Sequence, residues 1–172
     1  MMCIIQTKRT TISRLSLDDA PLILELLNTA EWLRYIGDRN IHNIEAAEQY
    51  LKNSFLKTYE QYGYSYYLVR IDNNLPIGIC GFLRKPYLEN EDFGFAYLPK
   101  YHSQGYGFEV GQAVLEFGIS NFHFKILDAV TRIDNVPSIG LLMKLGFQAV
   151  GLVKKPDSTD ADWVKLFRWI AE

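Results

Sequence analysis

Apolar positions recur along the chain with two different periods, and the places where the period changes mark its elements. Thr10 to Leu15 reads as a first strand. Asp18 and Asp19 then supply helix-capping side chains, Pro21 suits a first helical turn, and Leu22, Ile23, Leu26 and Leu27 repeat at helical spacing. A second helix is predicted from about Glu45 to Lys57, with Ala47, Tyr50, Leu51 and Phe55 along one side. From Tyr64 the texture becomes that of strands: Tyr66 to Ile71 and Ile77 to Phe82 flank the turn Asp72-Asn73-Asn74 and form a hairpin. A third strand of this group, Asp92 to Leu98, leads through Gly105-x-Gly107 into a helix whose Val110, Ala113, Val114 and Phe117 recur at i, i+3, i+4, i+7. Lys125 to Thr131 reads as a buried strand, and Pro137 opens a short helix through Leu145 that Gly146 closes in a left-handed conformation. Ala149 to Val153 and Trp163 to Ile170 are two last strands joined by the polar stretch Lys154 to Asp162. The order β-α-α-β-β-β-α-β-α-β-β predicts an α/β fold, a mixed sheet with helices on both faces.

Length and composition narrow the picture. The chain has 172 residues, the size of one domain, with 48% hydrophobic and 22% charged residues, an ordinary globular balance. A net charge of −2 leaves no basic footprint for a phosphate backbone, so nucleic acid is not expected as a ligand. The apolar group Met1 to Ile5 is too short for the core of a signal peptide, and no stretch approaches the ~20 apolar residues of a membrane span. Cys3 and Cys80 lack metal-ligand spacing and are read as reduced thiols, which points to the cytoplasm. His42, His102 and His123 lie in separate elements, so no metal is expected.

The segment His102-Ser103-Gln104-Gly105-Tyr106-Gly107 lies between a strand and a helix, where backbone N–H groups and the helix dipole converge on an anion. Glycine there allows positive φ and close approach of backbone to phosphate oxygens, although plain turn chemistry explains glycines equally well. A Walker loop is excluded because Phe108-Glu109 follows Gly107 in place of Lys-Ser/Thr, and a Rossmann fingerprint fails because Val110 stands where its third glycine belongs.

In this turn, in Thr7-Lys8-Arg9, Leu15-Ser16-Leu17-Asp18-Asp19-Ala20, Trp32-Leu33-Arg34-Tyr35, Gly94-Phe95, Asp134-Asn135-Val136-Pro137-Ser138 and Lys144-Leu145-Gly146-Phe147, the sequence resembles the GNAT acetyltransferase superfamily, in particular its RimJ/RimL-like branch. The resemblance covers nearly the whole chain and implies an acetyl-CoA-dependent N-acetyltransferase. The acyl-CoA turn (Q/R)-x-x-G-x-(G/A) falls on His102, Gly105 and Gly107, with His102 departing from the pattern. The resemblance implies pyrophosphate donors in the backbone of Gln104, Gly105, Tyr106 and Gly107, continuing into Phe108. It implies pantetheine pairing at the end of the strand by Tyr97 and Leu98, and a cofactor contact near the thioester arm at Asn135. Ser138 matches the serine that the RimL-like branch offers to the CoA sulfur, with helix capping as the competing reading.

Acetyl transfer to an amine needs an unprotonated amine, oxyanion stabilisation and a proton for the departing thiolate. Glu91 stands six residues before Tyr97, at the register where some histone-directed relatives place a general base. Period-two alternation puts it on the face of Tyr97 and turns Asp92 the other way, while a solvated loop Glu89 to Asp92 is the competing reading. The tyrosine that many members carry seven residues after the asparagine is Leu142 here. Trp32, Tyr35 and Tyr64 are candidate walls of an acceptor pocket, or simply core. The expected acceptor is a protein N-terminal amine, a polyamine or another small amine, and the expected state is monomer or homodimer. The alternative is a catalytically idle acyl-CoA-binding regulatory module.

Overall fold

The computed structural model describes residues 3–156 and 163–171. Eight strands form one mixed sheet: β1 (Cys3–Gln6), β2 (Thr11–Arg14), β3 (Tyr66–Ile71), β4 (Leu75–Leu83), β5 (Glu91–Tyr97), β6 (Ile126–Arg132), β7 (Gln148–Lys154) and β8 (Trp163–Ile170). They lie in the order β1-β2-β3-β4-β5-β6-β8-β7. The seven strands expected from the pattern are present within a residue or two, and the mixed α/β sheet is as predicted. The eighth, β1, grows from the short apolar group at the start of the chain. With four residues and two exposed ends, it is too short for a period to register.

The helices α1 (Ala20–Leu27), α3 (Ile44–Leu51), α5 (Tyr106–Phe122) and α6 (Val136–Lys144) correspond to the four expected, and α2 (Ala30–Tyr35) is an addition. Helix α2 spans less than two turns and is announced only by its cap, Thr29, whose side chain accepts from the Trp32 N–H. The second expected helix runs five residues further than predicted. A wide π turn at Lys52–Leu56 carries it into α4 (Lys57–Tyr62), and Gly63 ends it at φ 81°. Among the described residues no helix is long and apolar enough to cross a membrane.

Adjacent residues of β3 show how the layers are built. Tyr66 meets Phe55 beside α4, whereas Tyr67 meets Phe117 of α5 in a T-shaped contact, and neighbours on a strand point to opposite faces. The core therefore has two halves, one on each side of the sheet. At the start of α1, Asp19 accepts from Arg70 of β3 at 2.8 Å, a pair whose side chains are 6% and 8% exposed. Breaking one partner of such a buried pair costs about 3–5 kcal/mol.

One feature of the sheet governs the rest. β5 and β6 are its parallel neighbours, and their register contains only Glu91↔Leu127 and Asp92↔Asp128. Beyond Asp92 the two strands part and pair no further with each other. The joined end is bolted by side chains. Buried Asp128 accepts from Asn90 N and Nδ2 (3.3 and 3.2 Å) and from Arg168 Nε and Nη2 (2.8 and 3.3 Å). Lys85 meets the buried Asp92 at 2.7 Å.

Candidate active site

The wedge between β5 and β6 has the start of α5 at its mouth. β5 ends in a short 3-10 turn at Pro99–Tyr101, in which Tyr101 N–H donates to Leu98 O and His102 N–H to Pro99 O. His102 Nε2 then reaches back to Tyr97 O at 2.8 Å, and Gln104 Nε2 donates to Lys100 O at 2.7 Å. Ser103 (φ 59°) and Gly105 (φ 82°) reverse the chain so that α5 begins aimed at the mouth. Only glycine adopts the second of these at little cost. No side chain caps α5, and the N–H groups of its first turn have no acceptor within the helix. They are the donors that an anion would need.

The second glycine of the motif has a different role from the first. A Cβ on Gly107 would stand 2.8 Å from Leu141 Cδ2 and 3.5 Å from Tyr97 Cε2, so its lack of a side chain lets α5 close on α6 and β5. Tyr97 itself is half-buried, and its hydroxyl is enclosed beside the Cys80 thiol, its pKa pushed up by burial first and by Cys80 second. Leu98, the other residue expected at this strand end, is bound into the fold itself. Its side chain is core, its N–H donates to Ile77 O and its carbonyl accepts from Tyr101, so it anchors the turn and has no free N–H to offer a cofactor. Phe108 is half-buried, with the Lys144 ammonium 4.4 Å from its ring centroid.

On the other side of the wedge lies a cavity of about 540 Å³. It is lined by Gly94 and Phe95 of β5, Ala129 to Arg132 of β6, and Asn135, Ser138 and Leu142 of α6 and its cap. Asn135 is the N-cap of α6, its Oδ1 accepting from Ser138 N–H at 3.3 Å. That settles the competing reading of Ser138: its hydroxyl does not cap the helix and makes no hydrogen bond among the described residues. The far wall consists of Trp32 and Tyr35 of α2 with Tyr50, Phe55, Tyr66 and Tyr87, and carries Arg39, Lys85 and Asp92.

Two expected residues lie elsewhere. Glu91 stands at the start of β5 and is not among the residues that line the cavity, although Phe93 and Phe95 further along the same strand are. The Glu91 carboxylate accepts from Tyr64 Oη (3.2 Å) and Arg84 Nη1 (3.4 Å) at the joined end of the wedge. Tyr64 is likewise off the wall, packed against Phe82, Phe122 and Phe124 on the α5 side. The carboxylate that does face the cavity side is Asp92. Burial pushes its pKa up, with the Lys85 ammonium opposing and Asp128 adding to the rise. Asp92 and Lys85 were missed as a pair because seven residues and a loop separate them, a spacing that carries no signal.

The backbone of the turn and the open edge of β5 fit an elongated cofactor with a diphosphate at one end and an amide-bearing arm at the other. Residues 9–148 match the family model described as an acetyltransferase (GNAT) domain. YoaA of Bacillus subtilis, an uncharacterized N-acetyltransferase, is 29% identical over 157 residues, covering 90% of this chain and 88% of that protein. The structure of RimL, a ribosomal L7/L12 alpha-N-protein acetyltransferase in complex with coenzyme A, superposes with a TM-score of 0.83 over 98% of each chain at 17% identity. A Salmonella typhimurium acetyltransferase that modifies the N-terminal serine of L7/L12 gives 0.82 over 99% of this chain and 100% of its own, at 16% identity. The chain belongs to the GNAT acetyltransferase family.

Proposed function

We propose that the protein transfers the acetyl group of acetyl-CoA directly to a primary amine while both are bound. The whole chain then acts as one acetyltransferase domain. The observation that carries this reading is the open wedge: the separated edges of β5 and β6 lead from a row of free N–H groups at the start of α5 to a cavity lined by Ser138. Acetyl-CoA would supply an activated acyl carbon as the thioester. The chain's own groups supply placement. Backbone donors on β5 are positioned to stabilise charge on the acyl oxygen, and the unengaged Ser138 hydroxyl is positioned to donate a hydrogen bond to the departing sulfur.

The far wall favours an amine at the start of a polypeptide over a polyamine. Its aromatic rings suit an apolar side chain, and Arg39, which has no ion-pair partner among the described residues, adds a positive charge beyond the neutralised Lys85–Asp92 pair. A second ammonium on the acceptor is repelled there, whereas a peptide carbonyl or an acidic side chain is attracted. The test is a panel of short peptides with free N-termini, spermidine and an aminoglycoside, each incubated with acetyl-CoA and assayed for released thiol and acetylated product. The expected result is turnover with peptides, fastest for an acidic second residue. Exclusive turnover of spermidine would overturn the acceptor assignment, and thiol release with none of the panel would count against the amine.

A further inference from the structure

The glycine turn is fastened to a part of the chain about a hundred residues away. Arg9 sits in the turn between β1 and β2. Its Nε donates to Glu109 Oε2 at 2.6 Å and its backbone N–H to Oε1 at 2.8 Å, while Thr7 Oγ1 donates to Oε1 at 2.7 Å. Glu109 lies in the first turn of α5. Partial burial alone would raise its pKa, but the hydrogen bonds from Thr7 and Arg9 hold the carboxyl below its ordinary value. The same guanidinium lies 4.5 Å from the centroid of the Tyr106 ring, and its Nη1 donates to the carbonyl of Gln104 at 2.9 Å.

That last bond has a geometric consequence. A peptide unit is planar and trans, so the Gln104 carbonyl and the Gly105 N–H belong to one rigid plane and point in opposite directions. Holding the oxygen against Arg9 turns the N–H of Gly105 outward from Arg9. It also stops the plane from flipping at a glycine, where rotation is least restricted. A flipped plane would aim a carbonyl oxygen into a site that must attract negative charge. His102 does not do this work, because its ring is engaged with Tyr97 O.

We infer that Arg9, oriented by Glu109, is a positioning residue that presets the backbone cradle for the pyrophosphate of the cofactor. The inference rests on the reading of the turn as an acetyl-CoA site. It also gives the β1–β2 hairpin a function: it delivers the fork that locks the turn. Lysine is a poor substitute, since one ammonium lacks the planar fork that serves Glu109 and the Gln104 carbonyl together.

The test is a ligand series on Arg9→Met, Arg9→Lys and Glu109→Gln. Binding of CoA, of dephospho-CoA (which keeps the pyrophosphate) and of pantetheine (which lacks both phosphate groups) is measured by calorimetry, directly or by competition. Arg9→Met is expected to weaken CoA and dephospho-CoA alike by about tenfold, the size of one charge-assisted hydrogen bond, and to leave pantetheine unchanged. Arg9→Lys recovers part of the loss, and Glu109→Gln shows the same pattern more weakly. If Arg9→Met does not fold, these two carry the series. Unchanged binding of all three ligands, equal weakening of all three, or weakening confined to CoA with its 3′-phosphate would each overturn the inference. A wild-type protein that binds neither CoA nor dephospho-CoA would instead overturn the acetyl-CoA reading beneath it.

Discussion

The two ends of the wedge are held by different kinds of contact. At the donor end the chain is fixed by bonds that span four or five residues, His102 to Tyr97 and Gln104 to Lys100, with Arg9 as the long-range addition. At the acceptor end Trp32, Tyr50, Tyr66 and Tyr87 arrive from separate elements, and their only common property is that the fold brings them to one wall. A local turn must be encoded by adjacent residues, because glycine and cap geometry act at that range. A wall can be made by any apolar side chains of suitable size, so its specificity leaves little trace in any one stretch.

The sharpest way to break this contrast is to damage the donor end alone. Gly105→Glu puts a Cβ at φ 82° and a carboxylate beside the expected diphosphate, and should weaken CoA binding by about a hundredfold or more with the fold kept by circular dichroism. Loss of turnover with intact CoA binding would place the phosphates elsewhere. Ser138→Ala moves to the junction of the two ends. It is expected to lower kcat by about tenfold while leaving the calorimetric Kd for CoA within about twofold, since one hydrogen bond to the leaving sulfur matters most as it departs. Glu91→Gln is the control at the joined end and should change kcat by less than about threefold, where loss of a true general base costs at least about a hundredfold. The smallest effect concerns pH. The Glu109 carboxyl is depressed in the folded protein, so its contribution to stability is fully present above its unfolded value of about 4.3 and is lost as pH falls through the lower folded value. Denaturant melts from pH 7 to pH 3 should show wild type and Glu109→Gln converging at the acid end.

The same division explains what could be read from the chain. The strands Tyr66–Ile71 and Trp163–Ile170, the helix after Gly105 and the helix opened by Pro137 all follow from short-range pattern, and the structure has them in place. Asn135 illustrates the limit. The resemblance singled it out as a cofactor contact, but that its side chain caps α6 by accepting from Ser138 N–H, and so leaves the Ser138 hydroxyl unengaged, depends on the backbone entering α6. Glu91 shows the opposite failure. Alternation separates it from Asp92, but where its carboxylate ends up is decided by Tyr64 and Arg84, which reach it from other parts of the chain. Arg9 was visible only as part of one motif and Glu109 only as a residue that follows the glycine turn, with nothing in their spacing to say that they touch.

The two-residue register between β5 and β6 also divides the sheet into two hydrogen-bonded ladders, β1 to β5 and β6 to β8. Backbone bonding barely crosses that seam, so continuity there depends on the side chains of Asp128, Arg168, Asn90, Asp92 and Lys85. In terms of opening equilibria, the ladders are expected to behave as two cooperative units that exchange amide protons separately. A ligand lying along both separated edges would join them. Saturating CoA should therefore slow exchange on β6 as well as β5, far from the phosphate turn, so that the protein reports binding as a stiffening across its sheet.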